Sequence, residues 1–133
     1  TLPRYQSALG SGALTVIDDT HCIVDIVKNF CEFFLHESCG KCTPCRIGNK
    51  RIVEILERIS LGKGTAQDLE KLYFLGEHIK RTSFCGLGQA APNPLLRCLD
   101  YFRDEFETHV IEKRCPLNVC RMESPKKIKS LKV

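Results

Sequence analysis

Residues 37–48 read Glu-Ser-Cys-Gly-Lys-Cys-Thr-Pro-Cys-Arg-Ile-Gly. Cys39, Cys42 and Cys45 form a C-x2-C-x2-C run in this stretch. Thiolates at this spacing can each reach a different iron of a 4Fe-4S cluster, whereas zinc sites more often combine two separated C-x2-C pairs. The run therefore favours an iron–sulfur cluster. A structural zinc knuckle, or cysteines that cap a helix without a metal, remains the alternative.

A 4Fe-4S cluster needs a fourth ligand, and residues 46–84 contain no cysteine. Cys31 lies on the apolar face of a predicted helix, where a core role is the simplest expectation. Cys22 lies in the first turn of the same helix and is expected to be a free thiol. Cys85 lies in a glycine-flanked loop, in which backbone amides can approach a sulfur atom. On this chemistry we favour Cys85 as the remote ligand.

Outward from this motif, most of the chain has the apolar spacing of amphipathic helices. Residues 82–93 are predicted to form a loop, and residues 13–17 a short strand. The expected fold is mostly α, a small four-helix bundle with one short N-terminal strand. The four helices are predicted to start near Asp18–Thr20, Thr43–Pro44, Thr65 and Pro94, and to end near His36, Gly62, Thr82 and Val110.

Composition sets limits on the function. The chain has 133 residues, 43% of them hydrophobic, which is enough for one domain with a core. No apolar run approaches the roughly 20 residues of a membrane span, and no signal pattern is visible. The nine cysteines cannot all pair with one another, so we expect metal ligands in a reducing, cytoplasmic compartment. A net charge of +4 is too mild to indicate nucleic-acid binding.

The sequence resembles the cluster domain of the NADH-binding flavoprotein subunit of respiratory complex I. It also resembles the same module of NAD(P)-reducing and electron-bifurcating hydrogenases and of NAD-dependent formate dehydrogenases. The resemblance rests on residues 37–48, on Cys-Gly-Leu-Gly at 85–88, and on Ala-Pro-Asn-Pro at 91–94. Residues 10–19 look like the end of the small β-rich domain that precedes the cluster bundle in that family.

The resemblance implies one 4Fe-4S cluster, held by Cys39, Cys42, Cys45 and Cys85. It implies that the cluster relays electrons from a flavin mononucleotide, reduced by NADH or NADPH, to further iron–sulfur centres on ferredoxin-like or thioredoxin-like subunits. No G-x-G-x-x-G loop follows a strand here, so the flavin and NAD(P)H sites are expected on a missing domain or a partner chain. The chain alone is then not expected to be catalytic.

This interpretation divides the chain into three parts. Residues 1–19 are the end of an upstream β-rich domain or a linker, residues 20–112 are the helical cluster domain, and residues 113–133 are a cysteine-containing basic tail. The expected location is the cytoplasm, or the cytoplasmic or matrix face of a membrane complex, without direct insertion into the membrane.

A second group of possible ligands lies near the tail. Cys98, His109, Cys115 and Cys120 form a C-x10-H-x5-C-x4-C pattern that could hold a tetrahedral zinc ion. Cys115 and Cys120 are the first candidates, followed by His109, with Cys98 last. The same residues could instead be a buried cysteine, a hydrogen-bonded histidine and two free thiols.

A function from a different class uses the same cysteines. In that alternative the chain is a zinc-stabilised structural or interaction module, in which lysines contact a protein or nucleic acid. Aromatic residues are not interleaved with the basic ones, as single-stranded nucleic-acid binding would require. We therefore expect no nucleic-acid partner.

Overall fold

Helices make up most of the part of the chain that the computed structural model describes, namely Gly10, Gly12 and residues 14–122. This confirms the mostly α fold class. A π-helical turn at Pro44–Gly48 leads directly into α2, and a second one at Thr108–Glu112 follows α6. The α-helices are α1 (Ile23–Glu37), α2 (Asn49–Ser60), α3 (Ala66–Thr82), α4 (Gly86–Ala90), α5 (Asn93–Tyr101) and α6 (Arg103–Glu107).

The long helices pack antiparallel, as contacts at both ends of α2 and α3 show. At one end Arg58 of α2 pairs with Asp68 of α3. At the other end Gly48 lies so close to Ile79 that a Cβ on the glycine would stand 2.5 Å from Ile79 Cγ1. The bundle therefore has two distinct ends. The end at which Gly48 meets Ile79 also contains the turn at 37–48.

Helices α1, α2, α3, α5 and α6 each turn an apolar face towards a common core. Phe106 of α6 is fully buried there, although its helix is short. The other buried apolar residues of the core are Val24, Val27, Ile52, Leu56, Ile59, Leu69, Leu72, Ile79, Leu95, Leu99 and Val110.

Three local predictions differ from the structure. A strand is predicted at residues 13–17, but residues 14–17 form none, because a strand needs a neighbour to pair with. Ala13 lies outside the described residues. The predicted loop at 82–93 contains the short helix α4. The predicted fourth helix is interrupted at Phe102, whose φ of −125° and ψ of 33° are not helical.

The start of α3 depends on a buried carboxylate. Asp68 is only 1% exposed; its Oδ2 accepts a hydrogen bond from the Thr65 backbone N–H at 2.9 Å, and its Oδ1 lies 2.5 Å from Arg58 Nη2. Burial disfavours the charged carboxylate, yet the Thr65 amide and the Arg58 charge together hold the pKa of Asp68 below its ordinary value. Asp68 thus caps α3 and ties it to α2.

We expect Asp68→Ala to lower the free energy of unfolding by about 1–3 kcal/mol, because it leaves the Thr65 amide and Arg58 without their buried acceptor. Glu70→Ala, which removes an exposed carboxylate from the same helix, serves as the control and should change stability little. Urea denaturation of both variants under anaerobic conditions checks this. Equal stability of the two would contradict the capping role.

Candidate metal centre

The cysteines of the C-x2-C-x2-C run lie where α1 ends and the first π-helical turn begins. Gly40 adopts a left-handed φ of +74°, which glycine tolerates without strain. Arg46 Nη1 donates a hydrogen bond to the Gly40 carbonyl oxygen at 2.8 Å and closes the turn. Cys42 and Cys45 are buried, whereas Cys39 is exposed.

The turn at residues 83–88 packs directly against this run. A Cβ on Gly88 would stand 3.2 Å from Cys45 Cβ, and the backbone N–H of Phe84 points to the sulfur of Cys42. Cys85, which is exposed, lies between these two contacts along the chain. The structure therefore brings the 83–88 turn, with the predicted remote ligand, to the same end of the bundle as the other three cysteines.

Polar groups surround the sulfurs of Cys42 and Cys45. Hydrogen bonds from the backbone amides of Phe84 and Cys45 lower the pKa of Cys42. Cys45 Sγ lies 3.3 Å from Ser38 Oγ and 3.4 Å from Asn49 Nδ2. Since metals bind the thiolate rather than the thiol, the lowered pKa prepares Cys42 as a ligand.

The residues also fit a bulky anionic group. Ser83 Oγ is buried without a hydrogen-bond partner among the described residues, although buried hydroxyls are normally satisfied. It lies only 2.5 Å from where a Gly88 Cβ would be, beside Cys45. A donor of this kind next to soft thiolate ligands suits an iron–sulfur cluster, whose sulfurs accept hydrogen bonds.

A second group of ligands lies at the opposite end of the bundle. The ligand atoms of Cys22, His109, Cys115 and Cys120, named here the Cys3His group, are all within 4.8 Å of one another. Cys22 Sγ is 3.3 Å from His109 Nε2 and 3.6 Å from Cys120 Sγ. The structure thus brings together three of the residues singled out from the tail pattern, and adds Cys22.

Cys98 does not belong to this group. Its sulfur is not among the ligand atoms that converge there, and its side chain packs, partly buried, against the core instead. Burial raises the pKa of Cys98, and it raises the pKa of Cys31 to about 12, so both stay neutral thiols.

A fold-level signal could have found Cys22. An antiparallel bundle with an even number of passes brings the start of the first helix and the end of the last helix to the same end. Cys22 occupies the N-cap position of α1, and His109 lies in the turn that follows α6. Sequence spacing alone could not reveal this, because 87 positions separate the two residues.

The Cys3His group is strongly coupled electrostatically. A hydrogen bond with Cys120, aided by one with His109, lowers the pKa of Cys22, while the same contact raises the pKa of Cys120. Burial lowers the pKa of His109, but the hydrogen bonds with Cys22 and the Glu105 carbonyl, together with the charge of Cys22, raise that pKa to about 9. The group therefore stabilises a thiolate at neutral pH.

A helical bundle that collects cysteines from two turns at one end is a small metal-binding domain, and comparison with known proteins identifies its family. Residues 25–109 match the family described as the NADH-ubiquinone oxidoreductase-F iron–sulfur binding region. The chain belongs to this family, which confirms the resemblance seen in the sequence. Its site is accordingly one for an iron–sulfur cofactor.

Known relatives are longer than this chain. It is 52% identical over 120 residues to the NADP-reducing hydrogenase subunit HndC of Solidesulfovibrio fructosivorans, covering 90% of this chain and 24% of the relative. It is 46% identical over 112 residues to a subunit of the NADH-quinone oxidoreductase of Streptomyces coelicolor, covering 84% of this chain and 25% of the relative. The chain thus spans about a quarter of these curated relatives.

A solved structure shows the same fold. The NAD+-reducing NiFe hydrogenase in its H2-reduced state superposes with a TM-score of 0.68 and 41% sequence identity, covering 71% of this chain and 17% of the hydrogenase chain. Among residues 14–122, no helix has the length and apolar character needed to cross a bilayer.

We expect Gly88→Ala to weaken this end of the bundle by about 1–3 kcal/mol, because the new methyl group would collide with Ser83 and press on Cys45. Gly86→Ala is the matched control, since its Cβ would meet nothing within 4 Å. Iron and sulfide per chain, and the decay of visible absorption in air, measure the effect. Equally fast decay in both variants would contradict it.

Proposed function

We propose that the chain holds one 4Fe-4S cluster through Cys39, Cys42, Cys45 and Cys85 and serves as an electron relay. The observation that carries the proposal is the packing of the 83–88 turn against the C-x2-C-x2-C run in a member of an iron–sulfur binding family. Such a cluster, when bound, accepts and releases one electron at a time. The protein contributes position, insulation and tuning of the reduction potential.

The side chains near Cys45 would tune that potential. The Asn49 amide and the Ser38 hydroxyl can both donate to its sulfur, and hydrogen bonds to cluster sulfurs favour the more negative, reduced state. Arg46 adds positive charge beside Cys42. Ile79 of α3 packs against Gly48, three residues after Cys45.

The printed names of the relatives support the wider setting. They are subunits of NADH-quinone oxidoreductase and of NAD(P)-reducing hydrogenases. We place the flavin mononucleotide and NAD(P)H sites on a separate domain or partner chain, to which residues 1–19 would lead. Ferredoxin-like or thioredoxin-like subunits would exchange electrons with the relay, in the cytoplasm or on the cytoplasmic or matrix face of a membrane complex.

Cys85→Ala tests the proposed ligand set. The unmodified protein, purified anaerobically, should contain about four irons and four sulfides per chain at this site and give an electron paramagnetic resonance signal after dithionite reduction. Cys85→Ala should lose that signal, because one iron loses its thiolate.

Cys98→Ala is the matched control for this experiment. This variant also removes one thiol. Burial raises the pKa of Cys98, and the residue lies outside both ligand groups. The electron paramagnetic resonance signal should therefore persist. Zinc without sulfide in the unmodified protein would contradict the relay and favour a zinc-stabilised module.

Ser38→Ala and Asn49→Ala should each lower the reduction potential. If the lost hydrogen bond favours the reduced state by about 1 kcal/mol, the shift is roughly 40 mV for one electron. Thr43→Val removes an exposed hydroxyl of the same turn and should leave the potential unchanged. A redox titration followed by electron paramagnetic resonance measures all three variants. An unchanged potential in both Ser38→Ala and Asn49→Ala would show that these contacts do not tune the cluster.

A further inference from the structure

The Cys3His group has the dimensions of a site for a single metal ion. Zinc bonds of about 2.3 Å to sulfur and about 2.0 Å to nitrogen place tetrahedral ligands roughly 3.6–3.8 Å apart. Here Cys22 Sγ lies 3.3 Å from His109 Nε2 and 3.6 Å from Cys120 Sγ, and all four ligand atoms fall within 4.8 Å. We propose that Cys22, His109, Cys115 and Cys120 bind one structural zinc ion.

The donor set and its convergence distinguish zinc from a second cluster. Cluster thiolates each bind a different iron and therefore stand farther apart than ligands around one ion. Three thiolates and one imidazole form a standard tetrahedral zinc set. They also leave no open coordination position, which is the arrangement of a structural rather than a catalytic site.

The histidine is already oriented for binding. Its Nδ1 lies 2.6 Å from the Glu105 carbonyl oxygen, which can only accept a hydrogen bond, so Nδ1 carries the proton. The other ring nitrogen, Nε2, faces the Cys22 sulfur and so points to where a metal ion that replaced the shared proton would lie. Zinc-ligating histidines commonly donate their second N–H to a carbonyl in this way, because it fixes the tautomer and the ring plane.

The turn at 115–120 is built around the Cys115 sulfur. Backbone amides of residues 117, 119 and 120 point to this sulfur. Asn118 adopts a left-handed φ of 56°, and its N–H donates to the Cys115 carbonyl oxygen at 3.2 Å. Amides that converge on a thiolate offset the negative charge that three sulfurs bring to one ion.

Apolar packing holds this turn mainly at Cys115, which belongs to the core. Leu117 and Val119 remain 41% and 44% exposed, whereas Cys115 is only 2% exposed. A metal ion would join the start of α1, the turn after α6 and the 115–120 turn at one point. Because zinc has no redox chemistry, this role is independent of the proposed electron relay, and the inference does not rest on it.

The test measures zinc in the intact protein that contains this chain, purified anaerobically without added metal. We expect about one zinc per chain at this site, with three sulfur ligands at about 2.3 Å and one nitrogen at about 2.0 Å in the zinc X-ray absorption spectrum. Cys22→Ser should reduce bound zinc at least about tenfold while iron and sulfide stay unchanged. Cys98→Ser, the matched control, should retain the zinc.

Several results would overturn the proposal. The first is the finding that the unmodified protein contains no zinc, or contains iron at this site instead. The second is the finding that the Cys22→Ser variant keeps its zinc. A Cys22–Cys120 disulfide in the mass spectrum of the anaerobic protein would do the same. If Cys22→Ser does not fold, the absorption spectrum of the unmodified protein decides: a three-sulfur, one-nitrogen shell supports the site, and any other shell excludes it. Loss of iron with zinc retained would count against the relay alone.

Discussion

A Cβ on Gly88 would stand 2.5 Å from Ser83 and 3.2 Å from Cys45. The end of the bundle that contains the cysteine run at 39–45 depends on this close approach. Because glycine has no side chain, Gly88 allows the 83–88 turn to pack directly against the cysteine run. That position brings the Phe84 amide to the Cys42 sulfur and holds the turn that carries Cys85 at the same end of the bundle as the other three cysteines. The 83–88 turn follows directly after α3. Helix α3 packs against the start of α2, where Gly48 contacts Ile79.

Burial around the cysteines is uneven, and this bears on how a relay would work. Cys42 and Cys45 are buried, whereas Cys39 and Cys85 are exposed. A cofactor held by all four would therefore have one insulated side and one accessible side. Electron exchange with partners would use the accessible side, while the hydrogen bonds to Cys45 would adjust the potential from the interior.

Sequence patterns predicted α1, α2 and α3 because each has a long apolar stripe and a clear start, such as the Thr65–Asp68 pair. They missed α4 because a five-residue helix with two glycines has too little periodicity to register. The break at Phe102 depends on how the last helix meets the bundle, which local propensity does not encode. Cys22 was assigned no role because its partners are distant in sequence, and only the antiparallel packing brings them together.

Antiparallel packing also explains why the two groups of cysteines can differ in chemistry. They lie at opposite ends of α1, whose 15 residues span about 22 Å. At one end, the turn at 83–88 packs against the cysteine run at 39–45, and this is the end that we propose holds the larger cofactor. At the other, three sulfurs and an imidazole converge on a single point within 4.8 Å. A domain of this size has a limited core, so metal ligands at both ends can fix turns that apolar burial alone would leave loosely held.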